Sequence, residues 1–203
     1  MRKEGLIFRS NKKNINDIIQ SICCILLLIV IDQISKYTVL LQLKGKKAVV
    51  VFKDVFELNY LENRSAAFGI DPITILNRIF KFKYFTNHPN AFTTAKFVFF
   101  VVFTIVVVSV MLYIVYRIPI IDYKYVWLKF SLLLIVSGAV GNFIDRVCRK
   151  YVIDFFYFKL INFPIFNVAD IYITIGAIMM CCIIVFLFNE DDLGTLMSNI
   201  KNK

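Results

Sequence analysis

The chain has 203 residues, 59% of them hydrophobic and 19% charged, with a formal net charge of +10. Roughly half apolar and a quarter charged is usual for a soluble domain. Here the apolar excess is gathered into long runs, which excludes that class and reads as a membrane protein. The positive balance does not point to nucleic acid: there is no basic helix interleaved with aromatics and no nucleic-acid motif. Instead the lysines and arginines flank the apolar runs, where they meet anionic headgroups.

Residues 1–17 are polar and basic. The run "IIQSICCILLLIVIDQISKYTVLL" predicts a first transmembrane helix over 18–41. It is too long for the apolar core of a signal peptide and no small-x-small cleavage site follows, so it reads as a retained helix. A long loop, 42–94, comes next. Within it "AVVVFKDVFELNYLEN" is rich in Val and aromatics and partly alternates, which predicts short strands. "PITILNRIFKFKYF" opens with Pro72, a good first helical residue. A helical wheel puts Thr74, Asn77, Arg78 and Lys81 on one side and Ile73, Leu76, Ile79, Phe80 and Tyr84 on the other. Lys83 breaks the pattern. The expectation is an amphipathic helix over 72–85 lying in the membrane interface, with a strand as the alternative because residues 80–84 alternate.

Three further spans are predicted over 95–116, 125–144 and 166–188, by length rather than by propensity. The fold class is therefore an all-α membrane protein, a single domain over 1–203 with four transmembrane helices and both termini on one side. Charge does not orient it, because the 42–94 loop is as basic as the N-terminal tail. Cys23, Cys24, Cys148, Cys181 and Cys182 show no CxxC and no neighbouring His, so they read as packing thiols rather than a metal site. His88, in the turn-like "TNHPNA", reads as solvated.

Alternating traversal brings three polar clusters to one membrane face. Asp32 and Lys36 come late in helix one. Asn142, Asp145 and Arg146 end helix three. Asn167 and Asp170 open helix four. Asp32 and Lys36 are spaced i, i+4 and read as a structural ion pair. Asp145 beside Arg146 serves as a cap, a pair or a support for a neighbour. Gly138 and Gly141 permit close helix approach. Asp154 and Asp170 differ, since neither has an obvious local basic partner. If the connection between them is a tight return, the two carboxyls meet and share a proton, one acting as base on a water and the other donating to a carbonyl. A proton or ion pathway and structural hydrogen bonding are the competing readings.

"DQISK" (Asp32–Lys36), "NRSAAFG" (Asn63–Gly69), "GAVGNFIDR" (Gly138–Arg146), "VIDF" (Val152–Phe155) and "FNVADIYITIG" (Phe166–Gly176) occur in this order. Together they resemble the prolipoprotein signal peptidase family, the type II signal peptidases of bacteria. The resemblance implies an aspartic endopeptidase of the cell (inner) membrane that cuts before a diacylglyceryl-modified cysteine. It implies Asp154 and Asp170 as the catalytic pair. Asn63, Asn142, Arg146 and Asn167 fall on positions around the pair and substrate, and Asp32, Lys36 and Asp145 on structural polar positions. It further implies a small extracytoplasmic β-sheet and an interfacial helix in the first long loop, cytoplasmic termini, and a monomer with no cofactor and no metal. Its partners are lipidated prolipoproteins and membrane lipids. Three residues depart from the pattern. Ser65, Ser137 and Lys150 stand where glycine is common, and Lys150 is expected to alter the turn, since glycine permits backbone angles that lysine resists. The stretch 81–94 receives no function.

Overall fold

The computed structural model describes residues 15–64, 72–80, 85 and 87–201. The basic tail up to residue 14, Ser65 and the 81–84 part of the predicted interfacial segment lie outside them. In chain order the elements are α1 (Ile15–Leu43), β1 (Val49–Phe52), β2 (Phe56–Asn63), α2 (Pro72–Phe80), α3 (Pro89–Arg117), α4 (Tyr123–Arg149), β3 (Val152–Phe158), a 3-10 turn (Lys159–Ile161), α5 (Val168–Phe186) and α6 (Glu190–Lys201). Four of the described helices, α1, α3, α4 and α5, have the length and hydropathy of membrane spans.

The first three spans overrun the predicted bounds. Hydropathy marks the hydrocarbon crossing, roughly 30 Å thick, whereas a helix continues until its terminal backbone groups find other partners. Pro89 opens α3. Asp122 caps α4 by accepting the Tyr123 N–H at 2.6 Å. Asn167 delays the start of α5 to Val168.

Helix α4 is the pillar of the bundle. Of its apolar window 67% is buried, against 6% in α1, 6% in α3 and 17% in α5. The outer helices turn Leu26, Leu27, Val102, Phe103, Val185 and Phe186 outward. A continuous apolar exterior of this kind belongs in lipid. Two glycines let α4 approach its neighbours. A Cβ on Gly138 would fall 2.3 Å from the Ala169 carbonyl oxygen of α5, and one on Gly141 2.5 Å from Asp32 Oδ2 of α1. Ser137 is accommodated because its hydroxyl donates back to the Leu133 carbonyl at 2.7 Å.

The strands form one antiparallel sheet in the order β1-β2-β3. The two strands expected in the first loop are present. The third, Val152–Phe158, was read only as part of a connection; it lies outside that loop and pairs with β2. Beyond it the chain turns through Asn162 in a left-handed conformation (φ 47°). Phe156 and Phe166 then exchange backbone hydrogen bonds at 2.8 and 3.1 Å. The return is thus closed just before α5 begins.

Helix α2 exposes Leu76, Ile79 and Phe80, the side expected to face lipid, and half-buries Thr74 and Asn77. His88 is exposed. The cysteines are a correction. Cys24 is half-buried and packs against the core as expected, but Cys23, Cys148, Cys181 and Cys182 are exposed, because adjacency in an apolar run does not fix which side faces the bundle. Helix α6 was not anticipated. Its start is a reciprocal cap between Asn189 and Asp192, at 2.9 and 3.0 Å. Lys124 of α4 ties it down through Asp192 at 2.6 Å.

Candidate active site

All nine sequence-selected polar residues gather at the membrane face that carries the sheet. Each reaches it by a different local device. Asn63 ends β2 opposite Val152, which makes it a same-face diagonal neighbour of Asp154. Its Nδ2 donates to Asp154 Oδ2 at 2.8 Å. Asn167 is the N-cap of α5 and forms a capping box with Asp170: the Asp170 N–H donates to Asn167 Oδ1 and the Asn167 N–H to Asp170 Oδ2, both at 3.1 Å. The same Asn167 side chain donates from Nδ2 to Asp154 Oδ1 at 2.5 Å. Asn142, on α4, donates to Asp170 Oδ1 at 2.9 Å. Its own oxygen accepts from Asn167 at 3.2 Å and from Lys36 at 2.9 Å. The two carboxyls are therefore joined through one continuous set of amides.

Behind this lies a buried charge cluster. Lys36 Nζ stands 2.9 Å from Asp32 Oδ2 and 3.1 Å from Asp145 Oδ2, with all three side chains fully buried. Asp145 also pairs with Arg149 and accepts the Ile153 N–H at 3.3 Å. Asp32 accepts the Ala169 N–H at 3.0 Å. Two carboxylates and two cations balance, and such a cluster persists at depth only when its hydrogen bonds are satisfied. The i, i+4 pair expected from sequence is one edge of it. Gln33 and Arg149 are members that sequence reasoning passed over. Gln33 Nε2 donates to Asp32 Oδ2 at 3.1 Å and to the Gly141 carbonyl at 3.2 Å. It lies inside a quoted motif, and a polar side chain inside an apolar span was the available signal.

The electrostatics separate the two layers. Burial pushes the Asp154 carboxyl up to about 6, and the neighbouring Asp170 charge pushes the same way. Hydrogen bonds from Asn63 and Asn167 and the charge of Lys36 pull it down. Asp154 is 2% exposed and Asp170 half-buried. One acid is thus predisposed to hold a proton while the other has access to water. Arg146 is half-buried beside them, donating to the Asn142 carbonyl at 3.3 Å with its guanidinium 5.5 Å from the Phe100 ring centre. Among the described residues no three His, Cys, Asp or Glu side chains are grouped as a metal site would need.

The signal peptidase II family model matches residues 24–74 and 70–186 of this chain. The chain belongs to the signal peptidase II family. Among the family's curated members it is 36% identical over 173 residues to a lipoprotein signal peptidase of Clostridium tetani, covering 84% of this chain and 93% of that one. It is 37% identical over 169 residues to one from Streptococcus thermophilus, covering 83% and 92%. A bacterial membrane enzyme solved by the in meso method superposes with a TM-score of 0.62 at 27% identity, over 83% of this chain and 94% of that chain. The signal peptidase II match contains every residue of the amide-linked pair and of the charge cluster behind it.

Proposed function

We propose that Asp154 and Asp170 are the catalytic pair of an aspartic endopeptidase, and that the bond they cut lies just before a diacylglyceryl-bearing cysteine. The coarser activity, removal of signal peptides from prolipoproteins, follows from membership of the signal peptidase II family. The observation that carries the finer reading is Asn167, whose one side chain donates to the Asp154 carboxylate and accepts the backbone N–H of Asp170. The Asp170 charge bears on Asp154, and two carboxyls that feel each other do not both ionise cheaply, so one proton is shared between them.

In the proposed reaction the ionised member takes a proton from a water as that water attacks the peptide carbonyl. The protonated member donates to the carbonyl oxygen. Collapse of the tetrahedral intermediate returns a proton to the leaving amine, and the pair regains its starting state. Asn63, Asn142 and Asn167 hold the acids in register, and Arg146 polarises a substrate carbonyl. Lys36, Asp32 and Asp145 fix the amides from behind. The substrate enters sideways with its acyl chains in lipid. Helix α2 shields the pair, its apolar side resting in the interface. The site lies on the extracytoplasmic side with the termini cytoplasmic, and the enzyme works as a monomer of one domain.

The test is cleavage of a diacylated prolipoprotein beside its unlipidated twin, using Asp154→Asn and Asp170→Asn. Each variant should insert and fold but leave the lipidated precursor uncut. Near-normal turnover by either removes the assignment.

A further inference from the structure

The signal peptidase II match ends at residue 186, so α6 (Glu190–Lys201) follows it. The proposed reaction does not use this helix, yet both its ends are fastened. At its start the Asp192 carboxylate takes the Lys124 ammonium at 2.6 Å, and its backbone carbonyl accepts from the Tyr125 hydroxyl at 3.2 Å. Both partners lie in the first turn of α4. At its end the carbonyls of Asn199 and Ile200 are among the last four of the helix, which find no N–H inside it. Arg117 donates to the first at 2.5 Å and the Tyr113 hydroxyl to the second at 2.9 Å. Those two donors stand at the C-terminal end of α3.

These fastenings set the direction of the helix. The end of α3 and the start of α4 lie at one membrane face, because a short connection joins the two spans. Tied to both, α6 runs across that face instead of away from it. Its depth follows from α5. The 19 residues of α5, at about 1.5 Å each, make about 28 Å, close to the roughly 30 Å of hydrocarbon. The crossing is therefore complete at Phe186, and only Leu187, Phe188 and Asn189 separate it from α6. The residues of α6 are sorted to suit that depth. At 3.6 residues per turn, Leu196, Ile200, Leu193 and Met197 fall in one arc. Leu196 packs against the core that Tyr125 and Leu128 build and Ile200 is half-buried, whereas Leu193 and Met197 are exposed. Asp191 and Ser198, across the helix from Leu193, are exposed as well. The helix thus has a bundle side, an apolar edge and a polar side.

We propose that α6 is an interfacial helix whose partner is the bilayer boundary, with the Leu193–Met197 edge seated among acyl chains and Asp191 and Ser198 in water. A helix sorted in this way buries its apolar side about 5–10 Å into that boundary. Continuity selects this occupant. The edge runs on from Phe186 and Leu187, and from Ile120 and Ile121 between α3 and α4, all of them exposed. A second copy of the chain fits less well. Two side chains flanked by Glu190 and Lys201 fall far short of the roughly 800 Å2 per partner that a standard interface buries. So placed, α6 is a strap that holds the corner between α3 and α4 at the membrane plane, on the face remote from the acids. None of this requires turnover, so its failure and the failure of the peptidase reading are separate results.

The experiment is fluorescence quenching on the full-length protein in phosphatidylcholine nanodiscs. Trp127, the chain's one tryptophan, is removed by Trp127→Phe. Leu193→Trp, Met197→Trp, Asp191→Trp and Ser198→Trp are then made one at a time. All four positions are exposed, so each variant should unfold at the temperature of the Trp127→Phe parent. Phosphatidylcholine brominated near the top of its acyl chains should quench Leu193→Trp and Met197→Trp at least threefold more than Asp191→Trp and Ser198→Trp. It should also quench those two at least twofold more than the same lipid brominated near the chain ends. Aqueous iodide should reverse the order of the four. Equal quenching of all four by the brominated lipid overturns the proposal, as does stronger quenching from the chain ends. So does shielding of Leu193→Trp and Met197→Trp from lipid and iodide alike, the result expected if a second copy covers the edge.

Discussion

Asn167 holds Asp154 through its Nδ2, 2.5 Å from Asp154 Oδ1, while its Oδ1 caps the helix that carries Asp170. The two duties separate by substitution. Serine still caps a helix but is too short to reach Asp154. Asn167→Ser should leave thermal stability within about 0.5 kcal/mol of the parent and cut turnover on the order of 100-fold, the usual result of a misplaced reacting group. Asn167→Ala should lose a similar amount of turnover and about 1 kcal/mol of stability besides. Paired unfolding and cleavage measurements check both.

The raised Asp154 carboxyl makes stability pH-dependent with a definite sign. Its folded value, about 6, lies above the ordinary 3.8. The folded state therefore binds a proton that the unfolded state has released. This contribution is full below about pH 3.8 and is lost as pH rises through about 6, on the order of 3 kcal/mol in all. Unfolding temperatures should show that decline in the parent and not in Asp154→Asn. In Asn63→Ala a hydrogen bond that lowers the value is gone. The alkaline limb of kcat/KM should then move to higher pH, read from a pH–rate profile.

Gly141 is confined by an anchored acid. Asp32 cannot retreat from a new Cβ at 2.5 Å, because Lys36 and the Ala169 N–H both hold it. Gly141→Ala should cost about 2–3 kcal/mol. Gly194, in α6, has nothing within 4 Å of its missing Cβ. Gly194→Ala should instead gain about 0.5–1 kcal/mol. Unfolding of the purified variants in detergent distinguishes them.

Lys36 is a fully buried cation serving two carboxylates. Lys36→Met leaves Asp32 without its counter-charge and should destabilise by about 3–5 kcal/mol, seen as poor accumulation in the membrane. Adding Asp32→Asn restores the balance between Asp145 and Arg149. The double variant should therefore unfold at a higher temperature than the single one.

Much of this was legible in the sequence, for identifiable reasons. Asp154 and Asp170 stood out because a carboxylate in an apolar run needs a function. Gly138 and Gly141 marked a close approach, and four runs of spanning length fixed the helices. Strand β3 escaped because "VIDFFYF" is as apolar as a span and its partner β2 is remote in sequence, so no local pattern reveals the pairing. The amphipathic α6 carries no long apolar run. Cys23, Cys148, Cys181 and Cys182 were misread because composition reports that a run is apolar and not which of its sides meets lipid. The charge balance of Asp32, Lys36, Asp145 and Arg149 appears only once α1 and α4 are together. At Lys150 the expected difficulty is real but the turn is kept: lysine adopts the backbone geometry of a glycine.

The exchange of hydrogen bonds between Phe156 and Phe166 bears on the order of assembly. It closes a short loop, and short loops lose little chain entropy on closing. Asp154 and Asn167 can thus meet early, within one contiguous stretch of the nascent chain. Asn63 must arrive across 91 positions, after β2 has docked on β3, and non-local docking of this kind is slow. A molecule caught between those events already has Asp154 on Asn167 but lacks the donor that tempers it. Docking of β2 on β3 is therefore the step that completes the hydrogen bonds around Asp154.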